Sequence, residues 1–147
     1  MQRGQRFTLP FVILLFLPWP GYSGSESANL ETRAGWVKAE ANPVLGGALG
    51  TCFDVCVLKD EGKFRMWFSW RPKKSVALVE SADGISGWER HPANPIISPG
   101  KGKWDHEACY KPFALFDDGK WLLWYNGRRG HVEQIGMATH LGEELGF

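Results

Sequence analysis

The segment Cys52–Ser69, CFDVCVLKDEGKFRMWFS, recurs without a gap later in the chain as Cys109–Asn126, CYKPFALFDDGKWLLWYN. Each copy is an apolar run, a polar corner that contains glycine, and a second run rich in aromatic residues. Glycine supplies the positive φ that a tight turn needs, so this pattern predicts a β-hairpin. The identical residues of the two copies are Cys52/Cys109, Leu58/Leu115, Asp60/Asp117, Gly62/Gly119, Lys63/Lys120 and Trp67/Trp124.

The flanks of the hairpins also repeat. Trp36 precedes Asn42-Pro43-Val44-Leu45 as Trp88 precedes Asn94-Pro95-Ile96-Ile97, and a strand rich in small residues follows each hairpin, at 76–81 and 135–140. We expect a short strand within Trp36–Leu45. A repeat of this length built from short strands is typical of a β-propeller blade, which buries its faces only against its neighbours. The sequence therefore predicts an all-β fold with two blades of about four antiparallel strands each, at 36–87 and 88–147.

Composition argues against two classes of partner. The chain has 147 residues, a formal net charge of +1 and 44% hydrophobic residues, a balance that indicates neither nucleic acid nor an anionic membrane as a partner. Eight tryptophans and nine phenylalanines lie mostly in predicted strands, where aromatic side chains form core. We assign Trp67 and Trp124 to the core.

The N-terminus has the pattern of a secretory signal peptide, which we place at residues 1–27 and follow with a polar linker at 28–35. Arg3 and Arg6 precede the apolar run 11–17, and small or helix-breaking residues follow it. A retained membrane anchor is the alternative, but prolines interrupt the ~20-residue span that such a helix needs. The sequence predicts a secreted or periplasmic protein with no membrane association after cleavage.

Three cysteines leave at least one thiol unpaired. Cys52 and Cys56 lie about 13 Å apart on one predicted strand, too far for a disulfide. Cys52 and Cys109 hold equivalent positions in neighbouring repeats, so a bridge between them is geometrically allowed. The matched apolar context favours small buried thiols instead.

The ordered motifs resemble the five-bladed β-propeller glycosidases of the clan that contains glycoside hydrolase families 32, 43 and 130. The resemblance covers 36–147 and rests on the two Asn-Pro tetrapeptides, the aromatic strands of both hairpins, Ser81-Ala82-Asp83-Gly84 with Trp88, and Ile135-Gly136-Met137-Ala138. It implies a glycosidase-like protein that hydrolyses or phosphorolyses glycosidic bonds of oligo- or polysaccharides and needs no cofactor. The alternative is a non-catalytic carbohydrate-binding or assembly module.

The chain has residues for two blades, whereas the resembled proteins close a ring of five. The first copy is similar to an opening blade and the second to a closing one. A deletion, a truncated gene model and assembly from several chains all explain this difference. Open blade edges of this kind favour self-association.

Glycoside cleavage requires two carboxyl groups placed across the scissile bond. In the resembled families these acids lie on the innermost strands, and Asp54 matches the position of the general base in the first blade. Asp105 and Glu107, just before the second inner strand, are further candidates for an acid or for substrate contacts. A metal site is not expected, because no ligand spacing recurs.

Substrate-binding candidates surround these carboxylates. Lys111 occupies the position equivalent to Asp54, and Arg71 and Arg128 lie in equivalent basic loops that suit a phosphate or a sugar carboxylate; the bland alternative for these charges is solubility. Trp70 and Trp104, at loop edges, are the candidates for stacking on a sugar ring.

Overall fold

The computed structural model describes residues 32–142, 144 and 145. The predicted signal peptide lies outside the described residues. The chain divides into two compact units, residues 1–37 and 38–147, and the strands given below belong to the second unit. Within the described ranges, no helix has the length and apolar character needed to cross a bilayer.

Four antiparallel strands form the first sheet, in the order β1-β2-β3-β4. Their bounds are Cys52–Asp60 (β1), Lys63–Trp70 (β2), Ser75–Ser81 (β3) and Glu89–Arg90 (β4). The predicted first hairpin is confirmed: Asp60 pairs with Lys63 across a two-residue turn in which Glu61 and Gly62 both have positive φ, as a right-twisted hairpin requires.

Three antiparallel strands form the second sheet in the described part of the chain, in the order β5-β6-β7. They are Ala108–Asp117 (β5), Lys120–Arg129 (β6) and Val132–Leu141 (β7). The turn between β5 and β6 repeats the first one, since Asp118 and Gly119 also have positive φ. The fold is all-β with two antiparallel sheets, and its only helices in the described residues are the single 3₁₀ turns Gly47–Leu49 and Arg71–Lys73.

The main core lies between the two sheets. Trp67 and Leu78 of the first sheet face Trp121 and Leu123 of the second, and these four side chains are almost fully buried. Together with Cys56, Cys109 and Ala114 they form one cluster, in which apolar area removed from water stabilises the packing of sheet on sheet. The three cysteines are free thiols, with Cys56 and Cys109 buried and Cys52 half-buried.

A second cluster covers the opposite face of the first sheet. Met66, Phe68 and Val79 are buried there, and Leu45 and Leu49 pack against them from the segment before β1. The two faces follow from alternation along β2, which sends odd and even residues to opposite sides. The expected strand within Trp36–Leu45 is wrong, because the described structure has no strand between residues 32 and 51.

The segment after β4 runs along the edge of β3. The Asn94 side chain accepts a hydrogen bond from the Leu78 N–H at 2.9 Å and donates one to the Leu78 carbonyl at 2.7 Å. Ile97 then forms an isolated bridge with Val76, and Ile96 and Ile97 enter the core between the sheets. Asn94 therefore fixes the polypeptide as it passes from one sheet to the next.

Candidate functional site

Asp54 and Lys111 both lie at β-bulges on the first strand of their sheets. The register against the next strand shifts between Phe53 and Val55 in β1 and between Tyr110 and Phe113 in β5. The φ values are +47° for Asp54 and +54° for Lys111, a region that residues other than glycine seldom adopt. Bulges and positive φ cluster at sites where a side chain is aimed for function.

Ser69 of β2 joins these two bulges. Its hydroxyl, fully buried, accepts a hydrogen bond from the Lys111 backbone N–H at 2.7 Å and donates one to Asp54 Oδ2 at 3.5 Å. The hydroxyl thus holds the Asp54 carboxylate close to the backbone of the second sheet. Sequence reasoning missed Ser69; the available signal was its match with Asn126, a polar residue in an aromatic strand of each repeat.

Two aromatic rings accompany the bulges. Phe53 and Tyr110, each directly before a bulge, have ring centroids 5.1 Å apart, and the Arg71 guanidinium lies 5.5 Å from the centroid of Phe53. We call Phe53, Asp54, Arg71, Tyr110 and Lys111 the rim cluster. It combines an exposed carboxylate, two cations and partly exposed aromatic surface, which is a set of groups that can bind a sugar.

The Lys111 ammonium pairs with a carboxylate other than Asp54, its equivalent in the first repeat. Its Nζ lies 3.4 Å from Glu133 Oε2, and both side chains are about half exposed. Such an exposed pair is weak and screened by salt. Lys111 can therefore leave Glu133 for an anionic ligand at small energetic cost.

Asp105 is buried rather than presented to solvent. The Tyr125 hydroxyl donates a hydrogen bond to Asp105 Oδ2 at 3.1 Å, and the Cys109 thiol lies 3.8 Å from the same oxygen. Burial first, and Asp105 second, raise the pKa of Cys109 to about 12 and the pKa of Tyr125 to about 12. Asp105 serves as the acceptor for two protonated neighbours in the core of the second sheet.

Glu107 and Arg128, which the sequence places among the site residues, contact each other. Glu107 Oε1 accepts a hydrogen bond from the Gly130 N–H at 2.8 Å, and its Oε2 lies 3.7 Å from Arg128 Nε. Arg128 Nε also donates to the Gly130 carbonyl at 3.1 Å. These contacts close the loop between β6 and β7, so each group offers less of its charge to a ligand.

Trp70 and Trp104 have packing roles in the structure. Trp70 is buried with the second cluster, and its indole N–H donates to the Leu49 carbonyl at 2.7 Å; its ring is not the exposed platform that we expected. Trp104 is half-buried and stacks on Tyr125 with ring centroids 5.8 Å apart. A Cβ added at Gly127 would lie 2.1 Å from the Trp104 ring, so the backbone of β6 takes up further ring surface.

No group of three His, Cys, Asp or Glu side chains within residues 32–142, 144 and 145 is arranged to hold a metal ion. The cations of the rim cluster are side chains of the protein, Arg71 and Lys111.

Comparison with known proteins shows the fold. No protein-family model and no curated protein matches the chain. A solved structure described as "Glycoside hydrolase" matches with a TM-score of 0.61 and 19% identity, over 75% of this chain and 34% of that chain. A second, described as a complex of BT0996 and RGII, matches with a TM-score of 0.61 and 19% identity, over 76% and 33%. The chain spans about a third of both structures and has a glycoside hydrolase-like fold.

Proposed function

We propose that this chain acts on glycosidic bonds of oligo- or polysaccharides, with Asp54 as the general base. The observation that carries the proposal is the exposed Asp54 carboxylate, set on a bulge at the innermost strand of a sheet whose fold is shared with a glycoside hydrolase. We propose further that the two sheets are blades of the propeller type, so that Asp54 and Lys111 face a common axis.

The rim cluster supports a defined role for each group. The Asp54 carboxylate removes a proton from the nucleophile as it attacks the anomeric carbon. Phe53 and Tyr110 offer ring surface to the apolar face of a sugar. Arg71 and Lys111 can hold an anion beside the carboxylate, which suits either a sugar acid or phosphate as the nucleophile. Hydrolysis and phosphorolysis share this arrangement.

A second candidate function is carbohydrate binding without cleavage. Cleavage needs an acid to protonate the leaving oxygen, and the other two candidate carboxylates are engaged in the structure. Asp105 is buried against Tyr125 and Cys109, and Glu107 is held by Gly130 and Arg128. This engagement favours a module that binds a glycan through the rim cluster and leaves chemistry to another acid.

Export completes the proposal, because polymeric glycans are met outside the cytoplasm. The sequence of residues 1–27 predicts a cleaved signal peptide. N-terminal sequencing of the protein recovered from the medium or the periplasm should begin near residue 28. Recovery of an uncleaved polypeptide in the cytoplasm would contradict the predicted location.

One experiment separates the candidates. Wild type, Asp54→Asn and the control Asp118→Asn, a carboxylate in the exposed turn at the other end of β5, are assayed on a panel of aryl glycosides with and without phosphate. Loss of a general base lowers turnover by about 10²- to 10⁴-fold, so Asp54→Asn should lose turnover and Asp118→Asn should keep it.

Glycan binding is measured in parallel by calorimetry on the same three proteins. Binding without turnover, weakened by Asp54→Asn, would replace the first candidate with the second. Equal turnover of all three proteins would remove Asp54 from the chemistry. Absence of both turnover and binding would overturn both functions.

A further inference from the structure

The contact between the two sheets contains a complete docking unit. Asn94 clamps the Leu78 backbone on the outer edge of β3, and the next residues, Ile96 and Ile97, bridge Val76 and enter the core. The same segment thus binds the edge of the first sheet and covers the face of the second. It is the connection through which one sheet attaches to the next.

The edge of β7 presents the same acceptor surface. Trp124 pairs with Met137 as Trp67 pairs with Leu78, so Met137 holds the position of Leu78 in the second sheet. Hydrogen bonding alternates along antiparallel strands, and the shared register therefore turns the N–H and C=O of Met137 toward the outer edge. Among the described residues, no segment pairs with that edge of β7.

The face beside this edge is apolar and exposed. Ile135, Met137 and Phe113 are 71%, 55% and 60% exposed, and Trp124 lies among them half-buried, in ring contact with Phe113. The equivalent face of the first sheet, around Trp67 and Leu78, is almost fully buried by the second sheet. Exposed apolar area of this kind indicates a surface for a partner.

The matching donor segment is in the same polypeptide. Asn42-Pro43-Val44-Leu45 repeats Asn94-Pro95-Ile96-Ile97, and both Asn-Pro bonds are cis. Leu45 already packs on the free face of the first sheet, as Ile97 packs on the second. Asn42 is exposed. The segment therefore has the covering half of the docking unit in place and lacks a sheet edge to clamp.

We infer that Asn42–Leu45 of one copy of the protein docks on the β7 edge of a second copy, with the Asn42 amide clamping the backbone of Met137. The contact repeats the one that Asn94 makes with Leu78 inside each copy. The surfaces that meet are different patches, so the association is head to tail and gives a ring if it closes or a filament if it does not. Its partner is a further copy of this protein, independent of any sugar.

Analytical ultracentrifugation of the purified protein over a wide range of concentration tests the inference. Wild type should associate, and both Asn42→Ala and Met137→Lys should weaken association by roughly tenfold or more, since each removes paired hydrogen bonds or apolar contact. Ile85→Lys is the matched control, because Ile85 is an apolar residue of similar exposure, 51%, outside the repeated contact. It should associate like wild type.

The Asn94 equivalent provides a check on folding. Asn94→Ala removes a bond pair within each copy and should lower the unfolding temperature of the monomer, whereas Asn42→Ala should leave it unchanged. A wild-type protein that stays monomeric at the highest concentration would overturn the inference. Association that survives both Asn42→Ala and Met137→Lys would overturn it as well.

Cysteine trapping identifies the contact directly. In a Cys52→Ser background, a protein with Asn42→Cys is mixed with a differently tagged protein with Met137→Cys. We expect a disulfide-linked heterodimer, whereas the pair Asn42→Cys and Ile85→Cys should give none. Equal yields from both pairs would show random collision and contradict docking at this edge.

Discussion

The indole rings of Trp67 and Trp121 meet between the two sheets, with centroids 5.2 Å apart and an interplanar angle of 45°. Trp124 holds the position of Trp67 in the second repeat, yet it is only half-buried. The same residue in the same strand thus has a covering sheet in one repeat and none in the other.

This difference predicts unequal mutational costs. Trp67→Ala should lower the free energy of unfolding by about 3–5 kcal/mol, the usual loss for a buried aromatic, whereas Trp124→Ala should cost about 1–2 kcal/mol, since less area leaves water. Urea unfolding at a protein concentration low enough to keep the protein monomeric measures both. Equal losses would show that a neighbour covers Trp124.

Ser69→Ala should destabilise the protein by about 1–3 kcal/mol, because the buried N–H of Lys111 loses its acceptor. Asp54→Asn keeps that acceptor and should cost less. Thermal unfolding of the two variants compares them. A larger loss for Asp54→Asn would place the important contact at the carboxylate rather than at the backbone of the second sheet.

Gly127→Ala should destabilise the protein by about 1–3 kcal/mol through overpacking, because the new Cβ would overlap the Trp104 ring. Trp104→Ala removes that overlap, so the double variant should be more stable than the sum of the two single losses predicts. Denaturant unfolding of the four proteins gives this coupling. Strict additivity would contradict the contact.

Asp105→Asn should lower the pKa of Tyr125 from about 12 toward the ordinary value of about 10, because the negative acceptor that favours the protonated phenol is removed. Absorbance titration of the phenol measures the pKa, and Tyr125→Phe identifies which titration belongs to this residue. An unchanged pKa in Asp105→Asn would assign the whole shift to burial.

Alkaline pH should destabilise the fold. The pKa of Cys109 is raised to about 12 in the folded protein from a reference value of 9.0, so between these values the unfolded protein releases a proton that the folded protein keeps. Stability is therefore full below about pH 9 and falls as pH rises toward 12. Cys109→Ala should flatten this decline, measured by denaturant unfolding at a series of pH values; an equal slope would contradict the assignment.

The hairpins, the tight turns and the all-β class could be predicted because each depends on local residue types. Glycine after an acidic residue sets the turn, and alternation sets the strand. The fourth strand of the first sheet, Glu89–Arg90, carries no apolar pattern and could not be found this way. Its position depends on pairing with β3, a contact between segments that sequence pattern alone does not give.

The candidate site was predictable in part. Asp54 and Lys111 were paired correctly as equivalent positions, because the repeat aligns them without a gap. Trp70 and Asp105 were expected near solvent because they lie at loop edges in the sequence. The structure buries both, since the Leu49 carbonyl and the Tyr125 hydroxyl satisfy their polar atoms, and such partners become visible only in three dimensions.

The bulges also separate chemistry from architecture. An extra residue that takes no part in ladder pairing can exchange its side chain while the neighbouring strands stay in register. One repeat carries an acid there and the other an amine, on frameworks that otherwise coincide. Evolution or an engineer can therefore rewrite the charge of this rim one position at a time without redesigning the sheets that support it.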